Sequence, residues 1–158
     1  MSIQIIVSTP YAFIDWLKEK QRRKAVADFY KQLKSVPELA LEETYEDEEF
    51  FNEDLPVSDS SDLSKWVRAH LPERAPYFDA DIYIPNNFKH RIKLRLPVYV
   101  SGDTDYYFVS SFVLLRTIEE IRRALGREEA SRFEGVMSLF QEAAEVSIKN
   151  NQPIFSSY

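Results

Sequence analysis

Two patterns in the amino-acid sequence predict an α+β fold. Between residues 79 and 115 apolar and polar side chains alternate with a period of two, as half-buried strands require, and turn residues interrupt the run. On both sides of that region apolar residues recur every three or four positions, which gathers them on one face of a helix. The expected architecture is a small antiparallel sheet, a three-stranded meander with room for an N-terminal strand at its edge. It packs against a long N-terminal helix and two C-terminal helices.

The elements follow in order. Ile3, Ile5, Ile6 and Val7 make residues 2–8 a strand. Ser8 and Thr9 are capping residues and Pro10 suits a first helical turn, so a helix is expected from there to about Lys34. Its stripe consists of Phe13, Ile14 and Leu17, then Val26, Phe29, Tyr30 and Leu33. Residues 18–24 are polar on every side, so the helix should overhang or bend there. Ser60, Ser61 and Asp62 are expected to cap a short helix with Leu63, Trp66, Val67, His70 and Leu71 on one face and Pro72 at its end.

Strands are then expected at 79–84, 88–100 and 106–115, joined by turns at Pro85-Asn86-Asn87 and at residues 101–105. Thr117 with Glu120 three positions on matches a capping box, and Gly126 separates that helix from a longer one ending near Lys149. The second carries Phe133, Val136, Met137, Phe140, Ala143, Ala144 and Ile148 at helical spacing. After Pro153, residues 154–158 form an extended apolar tail suited to docking on the body or on a partner.

Composition removes several functional classes. The chain has no cysteine, which excludes disulfides, thiol nucleophiles and Cys-ligated zinc. Gly102, Gly126 and Gly135 are its only glycines and are never close together. Phosphate-cradling loops and the G-x-S-x-G elbow, which need backbone that only glycine tolerates, are therefore absent. No run approaches the roughly 20 apolar residues of a membrane helix, and the N-terminus lacks the pattern of a signal peptide. The expected setting is cytoplasmic, with no membrane partner and no cofactor.

Charge is distributed unevenly. Residues 35–64 hold eleven acids and not one Lys or Arg, so the rest of the chain carries a net +5 although the whole is −6. The chain is therefore expected to be a single domain, 1–158, with an acidic insert at about 38–62. Aromatic residues interrupt the acids there. Glu42, Glu43, Glu46, Asp47, Glu48 and Glu49, with Tyr45, Phe50 and Phe51 as apolar anchors, form the expected partner-binding set. This pattern suits a non-enzymatic protein that binds another protein by electrostatic complementarity, such as a small inhibitor of the immunity-protein type or an accessory factor.

A second expectation comes from Lys89, Arg91, Lys93 and Arg95, which alternate with His90, Ile92, Leu94 and Leu96 and so share one face of a strand. Such a row, about 7 Å between neighbours, matches phosphates as well as carboxylates. It is the basis of an alternative reading as a nucleic-acid-binding module, with the acidic insert masking the row and Tyr83, Tyr99, Tyr106 and Tyr107 supplying stacking surfaces. Asp79 and Asp81 point to a third, weaker reading as a carboxylate-dependent metal enzyme. His70 and His90 lie on different elements and make no triad, so no catalytic residue and no metal ligand set is expected.

Overall fold

A computed structural model describes residues 1–96 and 104–157. It is α+β, and the sheet is larger than the sequence suggests: six strands of mixed direction rather than a three-stranded meander. In chain order the strands are β1 (Ser2–Ser8), β2 (Glu49–Pro56), β3 (Ile82–Ile84), β4 (Ile92–Leu96), β5 (Thr104–Ser110) and β6 (Ile154–Ser157). Their spatial order is β2-β1-β6-β3-β5-β4. All neighbours are antiparallel except β3 and β5, which run parallel.

The described residues form six α-helices: α1 (Pro10–Phe13), α2 (Glu19–Lys34), α3 (Val57–His70), α4 (Ala75–Phe78), α5 (Ser111–Ala124) and α6 (Arg127–Asn150). They cover both faces of the sheet. Ile3, Ile5, Val7, Tyr83, Val109 and Ile154 pack with α3, α5 and α6, whereas Ile82, Ile84, Phe108 and Phe155 pack with α2. The two sets alternate along each strand, as the pleat requires.

Several expected boundaries shift, each for a local reason. The first helix is two helices, because the chain leaves helical geometry at Ile14 (φ −86°, ψ 70°) and re-enters after Lys18. The polar run 18–24 opens α2, and Arg22 turns back from it: its Nε donates to the Tyr11 carbonyl at 2.8 Å and its guanidinium lies 3.8 Å over the Tyr11 ring. A long cationic side chain thus covers apolar surface where the sequence offers no apolar one. Helix α3 starts at Val57 rather than at Ser60.

The third meander strand ends at Ser110, whose Oγ accepts the N–H groups of Phe112 and Val113 and starts α5. Thr117 is therefore inside a helix and not its cap, and its buried hydroxyl has no partner. The 3.6-residue stripe of Val113, Leu114, Thr117, Ile118 and Ile121 overrides the strand reading of 111–115. Strands β3 and β4 are not neighbours: β5 lies between them, so the expected hairpin at residues 85–87 does not form. Of the expected turn at 101–105, residues 101–103 lie outside the described residues, as does Tyr99, and Thr104 and Asp105 belong to β5.

Two segments read as appendages belong to the sheet. The apolar tail is β6, seated between β1 and β3 with Ile154 and Phe155 buried on opposite faces. Asn151 takes the left-handed conformation (φ 55°) that ends α6 and turns the chain into it. Part of the acidic insert also joins the sheet: Glu49–Pro56 is β2, paired with β1 from Ser8↔Glu49 to Ser2↔Pro56, while residues 40–48 form no helix or strand. Leu55 and Phe51 oppose Ile3 and Val7, and that burial holds the strand in register.

Candidate interaction surface

The outer edges of the sheet are β2 and β4, and they carry opposite charge. Residues 40–48 lead into β2 without forming a helix or strand, and side chains stitch them to the body along their length. Asn86 Nδ2 donates to the carbonyls of Glu38 and Ala40 at 3.0 and 2.9 Å. The Tyr30 hydroxyl donates to the Thr44 carbonyl and accepts the Thr44 N–H, both at 3.2 Å. Burial pushes that phenol up to about 12, so it stays protonated in both roles. At the far end, the Thr9 N–H donates to the Glu48 carbonyl at 3.0 Å.

This anchoring gives the acids fixed positions. Lys34 reaches Glu43 at 3.1 Å, Arg22 reaches Asp47 at 3.4 Å, and Arg132 reaches Asp62 at 2.7 Å. Among the described residues no ion pair is formed by Glu42, Glu46, Glu48, Glu49, Glu53 or Asp54, all of them exposed. Glu46 and Glu48 approach one another, and the hydrogen bond between their carboxyls, with a smaller contribution from desolvation, holds Glu48 above the usual carboxylate range. Glu42, Glu43, Glu46, Glu48 and Phe50 line one side of a shallow groove that Asn150, Asn151 and Gln152 close on the other.

The expected anchors divide. Phe50 is exposed at the strand edge, and Tyr45 is half-buried, edge-on to Tyr30 with a ring separation of 6.2 Å and with the Arg23 guanidinium 5.3 Å above it. Phe51 is only 8% exposed and belongs to the core. It cannot serve as a partner anchor. The alternation along β2 decides this: Phe51 shares a face with Leu55, while Asn52 and Asp54 take the other.

At the opposite edge, Lys89, Arg91, Lys93 and Arg95 are exposed while Leu96 is buried and Ile92 and Leu94 are half-buried; β4 begins only at Ile92, so Lys89 and Arg91 precede the strand and the expected four-cation strand row is reduced to Lys93 and Arg95. The Arg91 guanidinium lies 3.6 Å over the Tyr107 ring, and Lys93 is 3.6 Å from Asp105. Tyr83 is fully buried, and its hydroxyl donates to the Phe78 carbonyl, so it offers no stacking surface. The two histidines differ from their expected surroundings. His70 is exposed at the end of α3, stacked on Trp66 at 4.5 Å, and His90 is exposed ahead of β4.

Asp79 and Asp81 follow α4 and precede β3. Asp79 lies 3.6 Å from Arg68, and the Asp81 carboxylate accepts the Tyr107 N–H at 2.8 Å. These contacts guide the chain into the sheet. Among the described residues no three His, Asp or Glu side chains are grouped to hold a metal ion. No described helix is long and apolar enough to cross a membrane.

No protein-family model, curated protein or solved structure matches this chain. The geometry of its two margins therefore carries the functional reading.

Proposed function

We propose that this chain is a non-enzymatic binding protein of the cytoplasm that engages a basic protein through its acidic margin, as a small inhibitor or accessory factor. The observation that supports this reading is the set of six exposed carboxylates without ion pairs among the described residues, held along β2 and the segment before it. Charges blunt many edge strands against aggregation, and this margin extends the charge beyond the strand into the segment before it. Six like charges in one margin repel each other, a cost that a cationic partner removes. Phe50 and the half-buried Tyr45 are the apolar contacts within this surface.

Removing the segment would destroy an edge of the sheet, so the test uses charge reversal at exposed positions. The Glu46→Lys, Glu49→Lys, Glu53→Lys triple variant should keep the fold by circular dichroism. It should lose a basic protein that co-purifies with the wild type from its native cell, and the purified pair should weaken with added salt. Retention of the same partner by the folded variant would overturn the reading.

The second reading, nucleic-acid binding, draws support from the exposed cations Lys89 and Arg91 just before β4 and Lys93 and Arg95 on it, and from Arg91 lying on Tyr107. It predicts oligonucleotide binding that is lost in Lys89→Glu, Arg91→Glu and gained in the acidic-margin variant.

A further inference from the structure

The sheet splits at one end. Strand β6 follows β1 as far as Ser157, but it follows β3 only to Phe155, opposite Ile82. Beyond that point the chain entering β3 is the turn from α4, and a cleft of about 430 Å³ opens between it and Ser156 and Ser157. This volume lies in the range of small-molecule sites, roughly 300–1,000 Å³.

The walls of the cleft differ in kind. On one side Phe13 lies flat on Phe155, with ring centroids 4.1 Å apart and planes within 2°, and Trp16 meets Phe13 edge-on at 5.9 Å. Trp16 is 53% exposed, an unusual position for a large aromatic ring. On the other side are Asp81 and Asp79, the latter 3.6 Å from Arg68, and among the described residues no Lys, Arg or His lines the space itself. One Asp81 oxygen is fixed by the Tyr107 N–H, and a carboxylate can accept further bonds. Tyr106 also lines the cleft, and its hydroxyl is buried without a hydrogen-bond partner. An unsatisfied buried hydroxyl beside a cavity can be paired by a group that enters it, unlike that of Thr117, which lies inside a helix.

We propose that this cleft binds a small organic cation with a flat unsaturated body, an amidine, a guanidine or an aromatic amine. The ring or plane packs against Trp16 and Phe13, where the aromatic faces also attract positive charge. The cationic end meets Asp81, with Asp79 adding to the field, and the Tyr106 hydroxyl gains its missing hydrogen bond. The site is separate from the acidic margin, and either assignment stands without the other.

Benzamidine, benzyl alcohol and benzoate, which share a ring and differ in charge, provide the test by amide and indole chemical-shift titration of the full chain. Benzamidine should give saturable shifts at the Trp16 indole and the Asp81, Ser156 and Ser157 amides, and benzyl alcohol and benzoate should bind more weakly in that order. Asp81→Asn, which retains an acceptor for Tyr107, should weaken benzamidine about tenfold. Tyr106→Phe should weaken it severalfold, and Trp16→Ala, an exposed change with little effect on folding, should abolish the shifts. Equal binding of the three probes, no saturable shift at millimolar benzamidine, or full affinity in folded Asp81→Asn or Trp16→Ala would each overturn the assignment.

Discussion

The hydroxyl of Thr9 donates to the backbone carbonyl of Glu46 at 2.7 Å while it accepts the N–H of Ala12 at 3.1 Å. One side chain thus caps α1 and ties the acidic segment to the end of β1. Thr9→Val, which keeps the shape and removes the hydroxyl, should lower stability by about 1–2 kcal/mol in urea denaturation. The Ala12 and Glu48 amides should exchange faster, and Thr9→Ser should restore both. Unchanged exchange in the Val variant would remove Thr9 from this role.

The Glu46–Glu48 pair makes the acidic margin sensitive to pH. A carboxyl raised on folding holds its proton more tightly in the folded chain, so its contribution to stability is present below the ordinary value of 4.5 and is lost as pH rises through the elevated one. Glu48→Gln should accordingly be more stable than the wild type at pH 7, and the difference should vanish below that ordinary value. A carbon-detected titration of Glu48 should give a midpoint above 4.5. Binding of a basic partner should tighten as pH rises through that midpoint.

Phe50 and Phe51 are neighbours with opposite duties. Phe51→Ala empties a core position between β2 and α6 and should cost about 3–5 kcal/mol in thermal or chemical denaturation. Phe50→Ala, at an exposed position, should change stability by less than about 0.5 kcal/mol and should weaken partner binding instead. Equal losses of stability would place both in the core.

Thr117 offers a stabilising substitution. Its Oγ1 is buried inside α5 with no partner. Thr117→Val replaces the hydroxyl with a methyl group of similar size and should raise stability by about 1 kcal/mol. A drop in midpoint of denaturation would mean that the hydroxyl is bonded in solution.

Helices α5 and α6 are joined at the surface by Arg122, which reaches Glu134 at 2.9 Å and also donates to Gln141. Hydrogen bonds from Ser138 and then Arg122 hold the Glu134 carboxyl below its usual range. Such a group adds stability above the ordinary value of 4.5, and the gain is lost as pH falls through the lowered one. Glu134→Gln should therefore cost on the order of 0.5 kcal/mol at pH 7, discounted for exposure, and nothing in acid. A cost that persists in acid would assign the effect to something other than charge.

The sequence by itself determined which stretches become helix or strand wherever a long stripe enforces a period. Phe133 to Ile148 could only be a helix, and the alternation from Ile92 to Leu96 put Lys93 and Arg95 on one face of β4, although the strand begins too late to align Lys89 and Arg91 with them. It also determined the −11 stretch at 35–64, since charge is carried by residue identity. Short segments were different. Ile154 and Phe155 read as a tail because two buried residues have no period of their own, and only pairing with β1 and β3 made them a central strand. Residues 49–56 read as an acidic loop because Phe51 and Leu55 are outnumbered by exposed polar residues, and the backbone partner supplied by Ser2–Ser8 turned them into an edge. Strand order, the split between β6 and β3, and the meeting of Trp16 with Asp81 across a cleft depend on contacts between residues far apart in the chain. Such contacts leave no local pattern, because the energy that fixes them is shared by both partners and is realised only when the layers close.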